Sequence, residues 1–274
     1  MSVHTFKSMG TVVSVRLGTS SEMSDSAVLS GALAIASLDV ASSRESVAVA
    51  AAQQVFDELN EKFSLYLDTS EISQIARGEV LLSDSSERMR EAYAEALLWR
   101  EATNGAFTPH RPDGVLDLSG TVKAAAIAEA ATAIESCGFE SFSINAGGEI
   151  LTHGSPGAGA PEDNAWVTGI VDPQNRSELL SVVALTPEFP AMATSGSAER
   201  GDHIWARPGA TNDFLQATVI AGDIITADVC ATAIIAGGQE TLDHLTANFE
   251  IAVLVVKSNG ELLANARFPK LVAR

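Results

Sequence analysis

Two cysteines in 274 residues, Cys137 and Cys230, are too few for a disulfide framework, and neither stands at metal-ligand spacing. Free core thiols in a reduced compartment are the expectation. Basic residues are also scarce: 17 Lys and Arg face 35 Asp and Glu, for a formal net charge of −18. That balance argues against nucleic acid or an anionic membrane as a partner, since both are bound through clustered cations. It does not exclude an anionic small ligand, because a bound divalent cation can oppose the global charge locally. No run approaches the roughly 18 apolar residues that span a bilayer. The opening MSVHTFKSMG lacks the basic-then-apolar order of a secretory leader. A cytoplasmic protein with neither nucleic acid nor membrane as partner is expected.

Apolar residues make up 46% of the chain and charged residues 19%, ordinary values for a packed domain. Residues 11–17, TVVSVRL, alternate as a strand does. Residues 19–45 are rich in Ser and Ala and read as a flexible insertion or a loosely held helix. From about Glu45 to Phe63 the periodicity is helical, with Val47, Ala51, Val55, Leu59 and Phe63 as the apolar stripe. Further helices are expected over about 85–103, 122–136 and 225–236. Short strand-like runs separated by Gly, Pro and Asp fill the second half, closing in a hairpin at Asn259-Gly260 that favours a type I′ turn. Helices first and strands afterwards suggest an α+β fold rather than a βαβ series.

Three stretches carry candidate chemistry. In TADVCATAI (226–234), Asp228 and Thr232 are four apart and share a helix face among small and apolar neighbours. They suit either an N-terminal-turn aspartate with a back-bonded threonine or an oxygen pair for Mg²⁺. In INAGGEI (144–150), Gly147-Gly148 form a tight turn or let backbone N–H groups approach an anion. In ATSGSAERGDHIW (193–205), Thr194 and Ser195 end a strand and His203 follows in a polar loop. Ser195 lacks the G-x-S-x-G setting of a hydrolase nucleophile. Nothing local singles out His4, His110, His153 or His244. Lys123 sits at a helix start, against the helix dipole, so an anionic partner is expected: Asp117, a backbone carbonyl or a ligand.

Read in order, the stretches SMGTVVSV (8–15), FSLYLDTSEIS (63–73), TNGAFTP (103–109), LDLSGTVKA (116–124), INAGGEI (144–150), WVTGIVDP (166–173), ATSGSAERGDHI (193–204), TVIAGDIITADVCATAI (218–234) and GELLANARF (260–268) resemble the ApbE family of FAD:protein FMN transferases. The resemblance covers most of the chain apart from about 19–45. It implies a single T-fold-related α+β domain over 1–274, with helices packed on a mixed or antiparallel sheet. It implies Mg²⁺-dependent transfer of FMN from FAD to a Ser or Thr hydroxyl of an unidentified flavin-acceptor protein, with AMP released. A Mg²⁺-dependent FAD pyrophosphatase and a non-catalytic FAD-binding protein are the alternatives.

Carried over residue by residue, the resemblance places Met9, Tyr66 and the backbone of Ala106, Phe107 and Thr108 against the flavin. Asp117 would hold the adenosine part and Lys123 would sit beside the dinucleotide. Gly147 and Gly148 would floor the cleft, and Thr194, Ser195 and Ile204 would touch FAD. Gly120, through its carbonyl, Asp228 and Thr232 would bind Mg²⁺, and His203 would be catalytic. The chain departs from the family pattern at Thr108, Ala124, Ala125, Ala128 and Ala198 and in the loop after His203.

Overall fold

The computed structural model describes residues 1–18, 31–157, 165–196 and 213–273. An eight-stranded, wholly antiparallel sheet forms its centre, in the order β1-β2-β3-β4-β7-β8-β9-β10. The strands are β1 (Ser2–Ser8), β2 (Thr11–Leu17), β3 (Phe142–Ala146), β4 (Glu149–His153), β7 (Ala191–Gly196), β8 (Phe214–Ala221), β9 (Ala252–Lys257) and β10 (Leu262–Ala264). Between β4 and β7 the chain builds a separate hairpin of β5 (Trp166–Val171) and β6 (Leu179–Leu185). The helices are α1 (Gly31–Phe63), α2 (Glu71–Ala76), α3 (Glu87–Ala102), α4 (Ser119–Ser136) and α5 (Ile224–Asn248). This is the α+β class expected, with an antiparallel rather than a mixed sheet.

Each face of the sheet has its own core, and the period of two along the strands divides them. Val13, Val15, Ala191, Ala193, Val253 and Val255 pack toward the helices. Met192, Ile220, Ala252 and Leu254 pack toward the small sheet, meeting Trp166, Ile170, Val183 and Leu185. Cys230 lies in the helical core, where burial, with the charge of Asp223 adding to it, pushes its thiol up to about 12. It is a core residue, as expected.

Several boundaries differ from the sequence-based expectation. Helix α1 begins at Gly31 rather than near Glu45. Its buried line is Ala48, Ala52, Phe56, Leu59 and Phe63, while Val47 is exposed. A strict spacing of four drifts off a 3.6-residue helix; mixed steps of four and three stay on it. Arg44 fastens this helix to the end of α4, donating to the Cys137 and Gly138 carbonyls at 2.9 and 2.7 Å and lying over the Phe139 ring. Helix α5 runs on past 236, but Gly238 is non-helical there and kinks it. The expected type I′ turn at Asn259-Gly260 is absent. The Gly260 N–H bonds the Lys257 carbonyl and only Gly260 has positive φ, so the loop is a turn followed by a left-handed glycine. Two-residue turns with both φ positive occur instead at Met9-Gly10 and Gly147-Gly148.

Candidate functional site

Those two hairpin tips meet at a cavity of about 1130 Å³, whose other walls include the end of α1 and its following loop, the start of α4 and strands β5, β7 and β8. Met9, Tyr66, Asp117, Lys123, Gly147, Gly148 and Thr194 all line it. Met9, at the tip of the β1–β2 hairpin, holds φ of 48°, an uncommon conformation for a side-chain-bearing residue, and packs, partly buried, against the helical core. Tyr66 is 83% exposed at the rim.

Asp117 is buried and organises the start of α4. Its N–H bonds the Pro109 carbonyl at 2.8 Å, and its Oδ1 accepts the Ser119 N–H at 2.9 Å. Leu118, at the N-cap position, offers no side-chain cap, so Asp117 supplies it from one residue upstream. The partner of Lys123 is none of the candidates within the chain that the sequence suggested. It is Glu149, the first residue of β4: the ammonium Nζ and Glu149 Oε1 form an ion pair, with both residues buried. The signal available in the sequence was an acidic residue directly after the Gly-Gly turn, inside an otherwise apolar run. The turn itself is less open to anions than expected, because the Gly148 N–H is taken by Asn145 Oδ1 at 3.1 Å.

Two further cations on the walls escaped the sequence reading, Arg111 and Arg176. Arg111 pairs with Asp113 at 2.9 Å. Both follow recognisable stretches, TNGAFTP and WVTGIVDP, and with Lys123 they set three cations on walls that also carry Asp117 and Asp172.

The remaining expected residues that lie among the described ones do not line this cavity. Ser195 points to the helical side of β7 and its Oγ lies 3.1 Å from Thr232 Oγ1 on α5. Asp228, one turn earlier on α5, is 4% exposed, a buried carboxylate among the small and apolar neighbours expected from the sequence. Gly120 is a close-packing position: a Cβ there would lie 2.7 Å from the Phe107 ring. Ala106 and Phe107 are buried beneath it, and Thr108 Oγ1 accepts the His110 N–H. Among the described residues no cluster of three or more His, Cys, Asp or Glu could hold a metal. His203 and Ile204 lie outside the described residues.

A model of the ApbE family matches residues 9–111 and 109–255. The chain belongs to the ApbE family. No curated protein is significantly similar to it in sequence. Among solved structures it is similar to the ApbE protein of Thermotoga maritima (TM-score 0.72, 18% identity, covering 100% of this chain and 99% of that one). It is similar to the flavin transferase ApbE of Vibrio cholerae (0.72, 20%, 98% and 98%) and to the apo flavinyl transferase ApbE of Pseudomonas stutzeri (0.71, 18%, 98% and 96%). At these identities the likeness is one of fold. In this ApbE-family chain seven of the residues that the resemblance assigned to FAD line one cavity.

Proposed function

We propose that this protein transfers FMN from FAD to a Ser or Thr hydroxyl of a target protein and releases AMP, in a Mg²⁺-dependent reaction. The observation that carries the reading is the cavity lined by Met9, Tyr66, Asp117, Lys123, Gly147, Gly148 and Thr194 together with Arg111 and Arg176. Its volume suits a dinucleotide, and its cations suit a pyrophosphate. The names of the Vibrio and Pseudomonas proteins, both flavin transferases, point the same way.

In this reading the acceptor oxygen attacks the phosphorus on the riboflavin side of FAD. The bond from that phosphorus to the bridging oxygen breaks, and AMP leaves with the bridging oxygen. The hydroxyl proton goes to a base, which we assign to His203, an imidazole being suited to proton transfer near neutral pH. Met9 and Tyr66 flank the flavin and Asp117 the adenosine part, while Ala106–Thr108 support the start of α4 from below and Ile204 belongs to the flavin side. Lys123, held by Glu149, and the two arginines orient the pyrophosphate. The Gly120 carbonyl, the Asp228 carboxylate and the Thr232 hydroxyl would hold Mg²⁺, an all-oxygen set with one charge of the kind that takes this ion alongside water and phosphate oxygens. When bound, the metal would draw charge from the phosphate oxygens. Among the described residues no helix is long and apolar enough to cross a membrane, and we place the reaction in the cytoplasm.

Incubation with FAD, Mg²⁺ and a proteome extract, followed by denaturing electrophoresis and in-gel flavin fluorescence, tests the reading. Covalent flavin on a protein band is expected. Free FMN and AMP without a labelled band would make the protein a pyrophosphatase, and no product at all would make it a binding protein.

A further inference from the structure

The small sheet uses one of its edges and leaves the other open. On the used side, Ala184 N–H bonds the Leu271 carbonyl at 2.8 Å and Ala273 N–H bonds the Val182 carbonyl at 2.9 Å. Val182 and Ala184 therefore point their backbone groups away from β5, and their partners in the register, Gly169 and Val167, point theirs away from β6. The N–H and C=O groups of Val167 and Gly169 lie on the outer edge of β5, and among the described residues no strand pairs with it. The edge closes at its far end, where the Val171 carbonyl accepts from Gln216 Nε2 at 3.1 Å and Pro173 follows.

Proteins usually protect such an edge with charge, proline or a bulge that turns it away. Residues 166–171, WVTGIV, carry no charge and no proline, and the bulge lies only at Ile170/Val171. Residues 168–173 also form one wall of the cavity. Gly169 stands in the middle of the open stretch, where the Leu179 side chain of β6 packs over it; a Cβ there would lie 2.9 Å from that side chain. The open donors and acceptors repeat every two residues, about 6.7 Å along the strand. That is the repeat of an extended polypeptide and not of a flavin ring.

We propose that the outer edge of β5 receives a short extended segment of the acceptor protein as a third strand, delivering its Ser or Thr hydroxyl into the cavity. The proposal rests on the transfer reading above. Because side chains alternate, the residues next to the acceptor Ser or Thr would lie on the outer face of the small sheet. Val167, Val171, Leu179 and Val182 are all exposed there, which favours apolar neighbours.

An array of ten-residue peptides with a central Thr and varied flanks, incubated with the protein, FAD and Mg²⁺ and read for covalent flavin, tests this. Val167→Pro removes one outward N–H at a residue that does not line the cavity, and leaves the β5–β6 ladder intact. It should lower labelling at least tenfold through a raised peptide KM, with FAD affinity by fluorescence titration unchanged. In the wild type, hydrogen exchange at the Val167 and Gly169 amides should slow when the best-labelled peptide is added, a readout that needs no variant to fold. Equal labelling by the folded variant, or unaltered exchange, overturns the proposal. Loss of FAD affinity in step with labelling would assign the edge to the dinucleotide instead. A wild type that labels a protein in the extract but no peptide would show that a folded acceptor surface is read. If neither is labelled, the transfer reading itself fails.

Discussion

Removing Lys123 should destabilise the protein more than removing its partner. Lys123 and Glu149 are 8% and 3% exposed, and Lys123 faces the cavity on a flexible stem. In Lys123→Met the carboxylate is left in the protein interior. Breaking a buried pair in this way costs about 3–5 kcal/mol. In Glu149→Gln the ammonium can swing into the cavity and find water. The loss should then be nearer that of one hydrogen bond to a charged group, about 1.5–3 kcal/mol. At roughly 2–4 °C per kcal/mol for a domain of this size, Lys123→Met should melt some 6–20 °C below wild type. The double variant Lys123→Met/Glu149→Leu removes both charges and should recover most of the loss. Urea midpoints at constant slope, supported by thermal melts, provide the comparison. A Lys123→Met protein within about 0.5 kcal/mol of wild type would refute the reasoning, the range of an ordinary surface change. So would a double variant no better than the single. In the variants that remain folded, FAD affinity should fall in Lys123→Met, which removes a cation from the cavity wall, and hold in Glu149→Gln.

Further outcomes follow from neighbouring residues. Tyr66 is 83% exposed, so Tyr66→Ala should leave the urea midpoint unchanged while weakening FAD binding by about 0.5–1.5 kcal/mol, the worth of an aromatic stack, in a fluorescence titration. Gly120→Ala should cost about 1–3 kcal/mol by overpacking against Phe107, and Phe107→Leu in the same chain should restore part of it in the same melts. Asp228→Asn keeps the shape of a buried side chain and should abolish turnover at low Mg²⁺ without unfolding; wild-type turnover there would remove Asp228 from the metal site. Burial pushes the Glu71 carboxyl up, but hydrogen bonds from the Ser86 N–H and Oγ and the contact with Lys62 outweigh it, leaving its pKa lowered. A lowered folded value gives stability that is present above the ordinary glutamate value of about 4.3 and lost as pH falls through the folded one. Acid titration of Glu71→Gln should lack that component.

What the sequence disclosed, and what it hid, divides along the range of the interactions. Strand β2, helix α4 and the β9–β10 hairpin announce themselves through local periodicity and turn residues. Strand β4 does not: five residues after a Gly-Gly turn, Glu149–His153, are too few to show a period. Helix α2, six residues long, is hidden for the same reason. The end expected for α5 at 236 falls just before Gly238, because the local pattern carries the kink and not the packing that continues the helix beyond it. For the site, motif order placed seven residues on one cavity, yet the Lys123–Glu149 pair joins positions 26 apart and no spacing rule reveals it. The burial of Asp228 is likewise a property of the packing of α5, which a short motif does not record.

The central claim is best tested by intact-mass analysis of a labelled acceptor together with chromatographic counting of AMP and FMN in the same reaction. The account predicts an acceptor heavier by one FMN phosphoryl adduct, one AMP released for each flavin bound, little free FMN, and loss of all of these in His203→Asn with FAD binding retained. An acceptor of unchanged mass beside equal amounts of free FMN and AMP would contradict it.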